Sequence, residues 1–380
     1  MIPFVCAALA GGYEVPYTDV RAAGRAHAGV AEGGVWMNPA GLGPELSASV
    51  GVFAARARIT ATALDSAYDA PWTATTQHGG SAIPNLGVSM GRGSIWGGAA
   101  LNVPFAGGLS WAPDWPRRFE IVSSSTSVVR FSPFIGAQVG QLGVSAGPHV
   151  DFAKLSVLKA TDHISEEGSA QLELAGRSLG FDLALHAQLL DDFSVGLTYR
   201  SRSRVPLEGV ADFDVPSAFS AAFPDQSVSA GLALPDRFVL GAAWRGVFLD
   251  LALTTWSVNQ ALVFELPDSE DVVQSNGWSN SLALRLGGEH LQGPWQVRGG
   301  LYVDGVTGSP VPAETLSPSS PDSERIGLTV GAGRSILDGV VVNLSLEHLR
   351  LLQRQSESPD AAQASYSGSA WAAGIGVQIR

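Results

Sequence analysis

From Leu46 onward the chain places apolar residues on alternate positions, with polar or very small residues between them. In "FDLALHAQL", Phe181, Leu183, Leu185, Ala187 and Leu189 share one face, and Asp182, His186 and Gln188 take the other. "VFLDLALTTW" sets Val247, Leu249, Leu251 and Leu253 against Asp250, Thr254 and Trp256. "SLALRLGGEH" and "WQVRGGLYVD" separate Leu284, Leu286, Val297 and Leu301 from Arg285, Glu289, Arg298 and Asp304. A two-residue period predicts strands. These runs reach or pass the ~9–11 residues that a membrane-crossing strand needs, whereas strands of soluble sheets average about 5–6.

The breaks between runs alternate in length. Short turns fall at Gly91-Arg92-Gly93, Gly140-Gln141, Asp191-Asp192, Arg245-Gly246, Gln292-Gly293-Pro294 and Leu337-Asp338-Gly339. Long polar links fall near 65–80, 105–118, 160–168, 211–225, 265–276, 305–322 and 354–364. Six short turns and seven long links join fourteen strands, an even number with both ends on the short-turn side. The predicted fold is all-β: a 14-stranded antiparallel transmembrane β-barrel over residues 44–380.

Composition sharpens this picture. The chain is 45% hydrophobic and 15% charged, against about 25% charged in a typical soluble domain. No stretch approaches the ~20 apolar residues of a membrane helix, so the apolar residues are dispersed, as alternation requires. A net charge of −12 argues against nucleic acid as a partner. The single cysteine, Cys6, lies in "MIPFVCAALAGG", which reads as the end of an export signal over residues 1–10 with Ala8-Leu9-Ala10 as the cleavage site.

Residues 11–43 are too polar to face lipid and too rich in small residues to form a core alone. A barrel of fourteen strands is not filled by its own side chains. The segment is therefore expected to fold back into the lumen as an N-terminal hatch, without sharing the wall's hydrogen bonds. At its end, Asn38-Pro39-Ala40-Gly41 marks a bend, because proline fixes its own φ and holds the preceding residue extended.

Several stretches together resemble the FadL/TodX family of outer-membrane transporters of long-chain fatty acids and aromatic hydrocarbons. "RAAGRAHAG…NPAGL" is similar to the family's hatch with its Asn-Pro-Ala signature, and "ALNVPFAG" to the end of its third strand. "SVGLTYRSRSRVPLEG", "LALPD", "LALTTWS" and "GSPVP…PDSERIGLTVGAG" resemble later strands and the sixth outer loop. The chain ends "GVQIR" where family members carry an aromatic residue, and its loops after the third and fifth strands are short. The resemblance implies a bacterial outer-membrane monomer surrounded by lipid. It implies passive movement of a fatty acid or other hydrophobic small molecule past a movable hatch, with exit partly through the wall. An aromatic hydrocarbon channel, a surface-receptor barrel with a fixed plug and a lipid hydrolase are the competing readings.

Candidate ligand contacts are cationic. Arg200, Arg202 and Arg204 share one face opposite Tyr199 and are expected in the lumen, either holding a carboxylate or pairing with Asp182, Asp250 or Glu289. The resemblance adds Lys159, near the outer end of the fifth strand. Arg285 and Arg298 point inward from neighbouring strands, towards ligand or hatch. Asn38, Pro39 and Ala40 are the candidate gating residues. The seven histidines have no metal-ligand spacing, and His27 is expected to pack rather than switch. No cofactor or catalytic motif is expected, and "GRGSIWGG" belongs to a strand and turn. Trp36, Trp111, Trp115, Trp278 and Trp295 are expected at the membrane interfaces.

Overall fold

The computed structural model describes residues 12–64, 71–77, 79–163, 166–357 and 363–379; the expected export signal, with Cys6, lies outside them. Fourteen strands cross the wall: β1 Ser47–Ala63, β2 Gly80–Arg92, β3 Ile95–Ser110, β4 Ser123–Val139, β5 Leu142–His163, β6 Glu166–Leu190, β7 Phe193–Arg200 with Ser203–Asp214, and β8 Gln226–Leu234 with Arg237–Trp244. β9 Val247–Thr254, β10 Ser281–Gln292, β11 Trp295–Asp304, β12 Arg325–Leu337, β13 Val340–Gln355 and β14 Ala364–Ile379 complete it. Neighbours are antiparallel, and β14 pairs with β1 from Ala63↔Ala364 to Ala48↔Ile379. The sheet is closed.

Alternation is realised as read. On β9, Val247, Leu249, Leu251 and Leu253 face out while Phe248, Asp250, Ala252 and Thr254 are buried. An apolar exterior running round the wall suits hydrocarbon, where backbone groups must pair internally. The six short turns fall where expected.

Of the link expected at 160–168, residues 160–163 and 166–168 are instead strand. β5 and β6, at 22 and 25 residues, stay paired to His163↔Glu166 and rise well past the ~9–11 residues of a membrane crossing. Residues 111–122 dock on this hairpin, through Val122 N–H to Leu158 O at 2.7 Å and Ala160 N–H to Arg118 O at 3.0 Å. The hairpin persists because its backbone donors keep partners above the membrane.

β7 and β8 break at facing positions, Ser201-Arg202 against Pro235-Asp236. Pro235 has no N–H to give, and side chains make up the ladder. Asp236 Oδ1 accepts from Tyr199 O–H (2.8 Å) and Arg202 N–H (2.9 Å). Ser201 Oγ accepts from Phe181 N–H at 2.9 Å. The break reverses the facing of the strand. Below it Ser194, Thr198 and Arg200 turn inward; above it Val205, Leu207 and Ala211 do. Arg202 and Arg204 consequently stand exposed outside, against the expectation of a three-arginine lumen stripe.

β3 departs further. Its pairing with β2 ends at Leu86↔Leu101, and its register with β4 shifts between Asn102 and Phe105. Beyond that point Val103, Phe105, Ala106 and Leu109 are all buried, so neither face meets lipid. The N-terminal segment supplies the missing partner: Val15 N–H donates to Pro104 O and Ala106 N–H to Tyr13 O, both at 2.8 Å. The N-terminal segment does share the wall's hydrogen bonding here, contrary to the sequence expectation.

The upper lumen is closed by an apolar cluster. Leu155, Leu174, Leu207 and Leu234 from the wall meet Trp111, Trp115, Trp256 and Trp278 from the loops. Trp111, Trp115 and Trp278 are therefore core residues, and Trp36 is buried against Val35 and Ala100. Of the five tryptophans expected at the interfaces, only Trp295 lies on the exterior, with Trp244 beside another short turn. The inner wall, too, offers loop tryptophans an apolar surface to pack on.

Unheated protein should migrate faster than boiled protein on a denaturing gel, with a β-dominated circular dichroism spectrum. Asp236→Ala should lower stability by about 1–3 kcal/mol, since it strands donors at the break. A heat-shift midpoint equal to wild type would remove Asp236 from this role.

Candidate functional site

The segment from Gly12 to Gly43 lies inside the barrel, tied to the wall by buried charges. Glu14 accepts from Arg237 of β8 at 2.6 Å and Thr254 of β9 at 2.8 Å. Burial works to raise its carboxyl, yet Arg237, Arg285 and the Thr254 hydroxyl outweigh it and hold the group below the usual carboxylate range. Asp19 caps the short helix Val20–Ala23 by accepting from Ala22 N–H at 2.8 Å. Arg21 then reaches Glu289 of β10 and Glu32 of the hatch, each at 2.6 Å. Arg25 joins Glu32 and lies over the Phe248 ring at 3.9 Å, and Arg298 of β11 meets Glu289 at 2.5 Å.

Beyond the helix, Ala26 and His27 adopt positive φ (62° and 59°), which L residues with side chains avoid. Wall contacts hold them there. Ala26 N–H donates to Thr329 Oγ1 at 2.8 Å, and His27 Nε2 lies 2.6 Å from Glu347. Glu347 also accepts from Tyr17 (3.1 Å) and Tyr302 (2.6 Å). Asp250 accepts from Gly29 N–H and Val30 N–H at 2.9 and 3.1 Å.

Asn38 is fully buried and caps the short turn Pro39–Gly41 by accepting from Ala40 N–H at 3.0 Å. Its Nδ2 donates to Val30 O at 2.9 Å and to Leu185 O of β6 at 2.8 Å. Pro39 O accepts from Trp96 Nε1 at 3.0 Å. Ala40 lies so close to β5 that a Cβ on Gly143 would meet Ala40 O at 2.1 Å. A Cβ on Gly196 of β7 would meet Val30 O at 2.2 Å. These wall glycines admit the bend.

Between the N-terminal segment and the wall runs a narrow cavity. Val30, Val35, Met37, Phe105, Phe134 and Val239 give it apolar walls. Four arginines line it. Arg130 is held by Asp151 (2.7 Å), Arg237 by Glu14 (2.6 Å) and Arg285 by Asp304 (3.3 Å). Arg200 alone of the four has no carboxylate within ion-pair distance among the described residues; its Nη2 donates to Trp36 O at 2.6 Å.

The structure thus gathers Pro39, Arg200 and Arg285 around one space, with Asn38 and Ala40 buried behind it. Arg298 lies apart, in the Glu289 clamp. Lys159 is exposed on the β5–β6 hairpin, and Arg202 is outside the wall; neither lines the cavity. Sequence reasoning passed over Arg130, Arg237, Phe105 and Phe134. The alternation in "SVVRFSPF" placed Arg130 inward and was the available signal. It also missed an outer-rim aromatic group, in which His163 packs on Phe219 at 4.9 Å and Phe223 at 5.6 Å.

Residues 4–380 match the family model for outer membrane protein transport proteins (OMPP1/FadL/TodX). The chain belongs to this family. As a FadL/TodX-family barrel it lies in the bacterial outer membrane. It is 25% identical over 268 residues to a long-chain fatty acid transport protein of Escherichia coli K12, covering 66% of this chain and 59% of that one. A Salmonella typhi long-chain fatty acid transport protein is 23% identical over 265 residues, with 66% and 58% covered. The chain thus spans about three fifths of the length of the curated relatives it matches. The fold is similar to that of a Pseudomonas aeruginosa FadL homologue, with a TM-score of 0.84, 17% identity, and 97% of this chain and 99% of that one covered. For the Pseudomonas putida toluene transporter TodX the values are 0.75, 15%, 96% and 98%.

The clamp makes a direct prediction. Glu289→Ala takes from Arg298 the carboxylate it meets and leaves Arg21 with Glu32 alone, and breaking a buried pair costs roughly 3–5 kcal/mol. The barrel should keep its heat shift while residues 12–43 become open to protease from the periplasmic side. Unchanged digestion would show that the clamp does not hold the segment.

Proposed function

We propose that the protein carries long-chain fatty acids passively across the outer membrane, with residues 11–43 as a movable hatch in the barrel of residues 44–380. The observation that supports this reading most strongly is Arg200, a cation with no carboxylate within ion-pair distance among the described residues, in a cavity where apolar side chains alternate with charged ones, its register partner Asp182 among them. A long-chain carboxylate needs one such charge and a sleeve for its tail. A neutral aromatic hydrocarbon would need the sleeve alone. That second reading draws support from the likeness to the toluene transporter, and it leaves Arg200 only its bond to Trp36 O.

In this reading the ligand first meets the rim aromatics around His163, then passes the apolar cluster and seats its carboxylate on Arg200. Each buried CH₂ contributes about 0.8 kcal/mol, so a tail of a dozen carbons would stay bound unless the pocket changes shape. Hatch movement supplies that change, with Asn38, Pro39 and Ala40 at its hinge. The place where β3 leaves β2 offers a route into the membrane. Arg285 and Arg298 serve the wall and the clamp; Lys159 and Arg202 take no part. In this reading the protein works as a monomer in lipid, and the closed sheet leaves no strand edge for a second copy to cover.

Arg200→Ala should weaken oleate binding about tenfold or more, the scale of one charge-assisted contact, and leave toluene binding unchanged. Equal loss for both ligands would make Arg200 structural. Equal retention of both would favour the hydrocarbon reading. The pair Asn38→Ala and Pro39→Ala should leave the heat shift intact and lower oleate uptake into cells more than oleate binding. Unchanged uptake would reduce the motif to a turn.

A further inference from the structure

On the exterior of β13, β14 and β1 the apolar belt stops abruptly at a row of cations. Up β14 the outward positions run Ile379, Val377, Ile375, Ala373 and Trp371, then change to Ser369, Ser367 and Ser365. On β1 the outward Val50, Val52 and Ala54 give way to Arg56 and Arg58. On β13, Leu344 and Leu346 give way to His348 and Arg350.

Register brings these residues together. Arg58 and Arg350 both pair with Ser369, so they stand at one level, one on each side of β14. One step below, Arg56 and His348 both pair with Trp371. The His348 ring packs on Trp371 at 4.3 Å between centroids, and His348 Nδ1 has no hydrogen-bond partner. Neighbouring strands are about 4.8 Å apart, so Arg58 and Arg350 are separated by roughly 10 Å at their backbones. Their long side chains can converge on one phosphate or span two.

Charge makes the patch unusual in this chain. The protein carries −12 overall, yet β1 and β14 contain no acidic residue, and Glu347, the single one of β13, faces the lumen. Arg56 and Arg350 have no acidic partner among the described residues. An arginine facing lipid costs roughly 2–4 kcal/mol at mid-membrane and about 0–1 at the interface. Three of them together therefore mark the interface level, on the long-loop side of the barrel. That side faces outward, where the leaflet is built of phosphorylated saccharolipid.

We infer that the exterior of β13, β14 and β1 is a binding site for a diphosphorylated glycolipid of the outer leaflet. Arg56 and Arg350 hold its phosphates on either side of β14, and the Trp371–His348 pair lies beneath its sugar. Guanidinium groups match phosphate bidentately, and an aromatic face accepts the apolar side of a sugar ring. The acyl chains then run down the apolar belt below. This site is independent of what the lumen carries.

The test is titration of detergent-purified full-length protein with fluorescent diphosphoryl lipid A, with monophosphoryl lipid A and phosphatidylglycerol as comparison probes. On the unmodified protein, monophosphoryl lipid A and phosphatidylglycerol should each bind several-fold more weakly. Arg56→Gln with Arg350→Gln should weaken diphosphoryl lipid A at least tenfold. Lys154→Gln with Arg177→Gln, outward cations on β5 and β6, should change it less than twofold. Equal binding of all three probes would overturn the inference. So would unchanged affinity in the first double variant, or an equal loss in the second. The probe series needs no substitution, so the inference stays testable even if a variant assembles poorly.

Discussion

In hydrocarbon a backbone N–H or C=O without a partner costs several kcal/mol, and every feature of this barrel answers to that constraint. Closure through β14 and β1 satisfies most of the wall. Where the wall departs from regular pairing, other groups replace the lost bonds. Asp236 and Ser201 serve the break in β7 and β8. At β3, the hatch itself does so, through Tyr13 and Val15. Irregular backbone is tolerated at these depths only where protein covers it, and the covered places are those that border the cavity.

A second division follows from the first. The inner wall is apolar above the β7–β8 break and charged below it, because reversing the facing of a strand exchanges which residues look inward. Val205 and Leu207 enter the lumen above; Thr198 and Arg200 enter it below. The upper half is therefore packed with apolar side chains, and the lower half holds the N-terminal segment by ion pairs. Arg200 lies at the boundary between the two. Neither half alone would make a site for a long-chain acid.

Much of the architecture was legible in the alternation, since a period of two reports facing directly and the short turns report register. Strand number, the six tight turns and the inward facing of Arg285 and Arg298 came from that signal. It failed where the period itself is interrupted. Arg202 and Arg204 were placed inward because two residues, Ser201 and Arg202, break the ladder and exchange faces, which no count along the chain reveals. The tryptophans were misplaced for another reason. An apolar lumen and a lipid interface attract an indole equally, and only tertiary structure tells them apart. Alternation places Arg200 inward, yet whether a carboxylate comes within ion-pair distance of it depends on where Asp151, Asp182, Glu14 and Asp304 sit, and those contacts are all long-range.

The ties that hold the hatch differ in kind, and the difference bears on how it could move. Glu289, Glu347 and Asp250 hold it through side chains, and water entering the lumen could solvate both partners of each tie. The two bonds to β3 are backbone to backbone, through Pro104 O and Ala106 N–H. Withdrawal of residues 13–15 would leave those groups bare next to the gap with β2, unless β3 shifted to recover them. A hatch that moves at Tyr13 must therefore also move β3, and a ligand that displaces one displaces both. Ala26 and His27 bear on the same step. Their left-handed conformations cost about 1–3 kcal/mol each, held in place by Thr329 and Glu347. Releasing those two contacts would let the bend relax, so the strain favours movement once it begins. Pocket shape and wall opening would then change in one concerted event, with no energy source beyond ligand binding and relief of that strain.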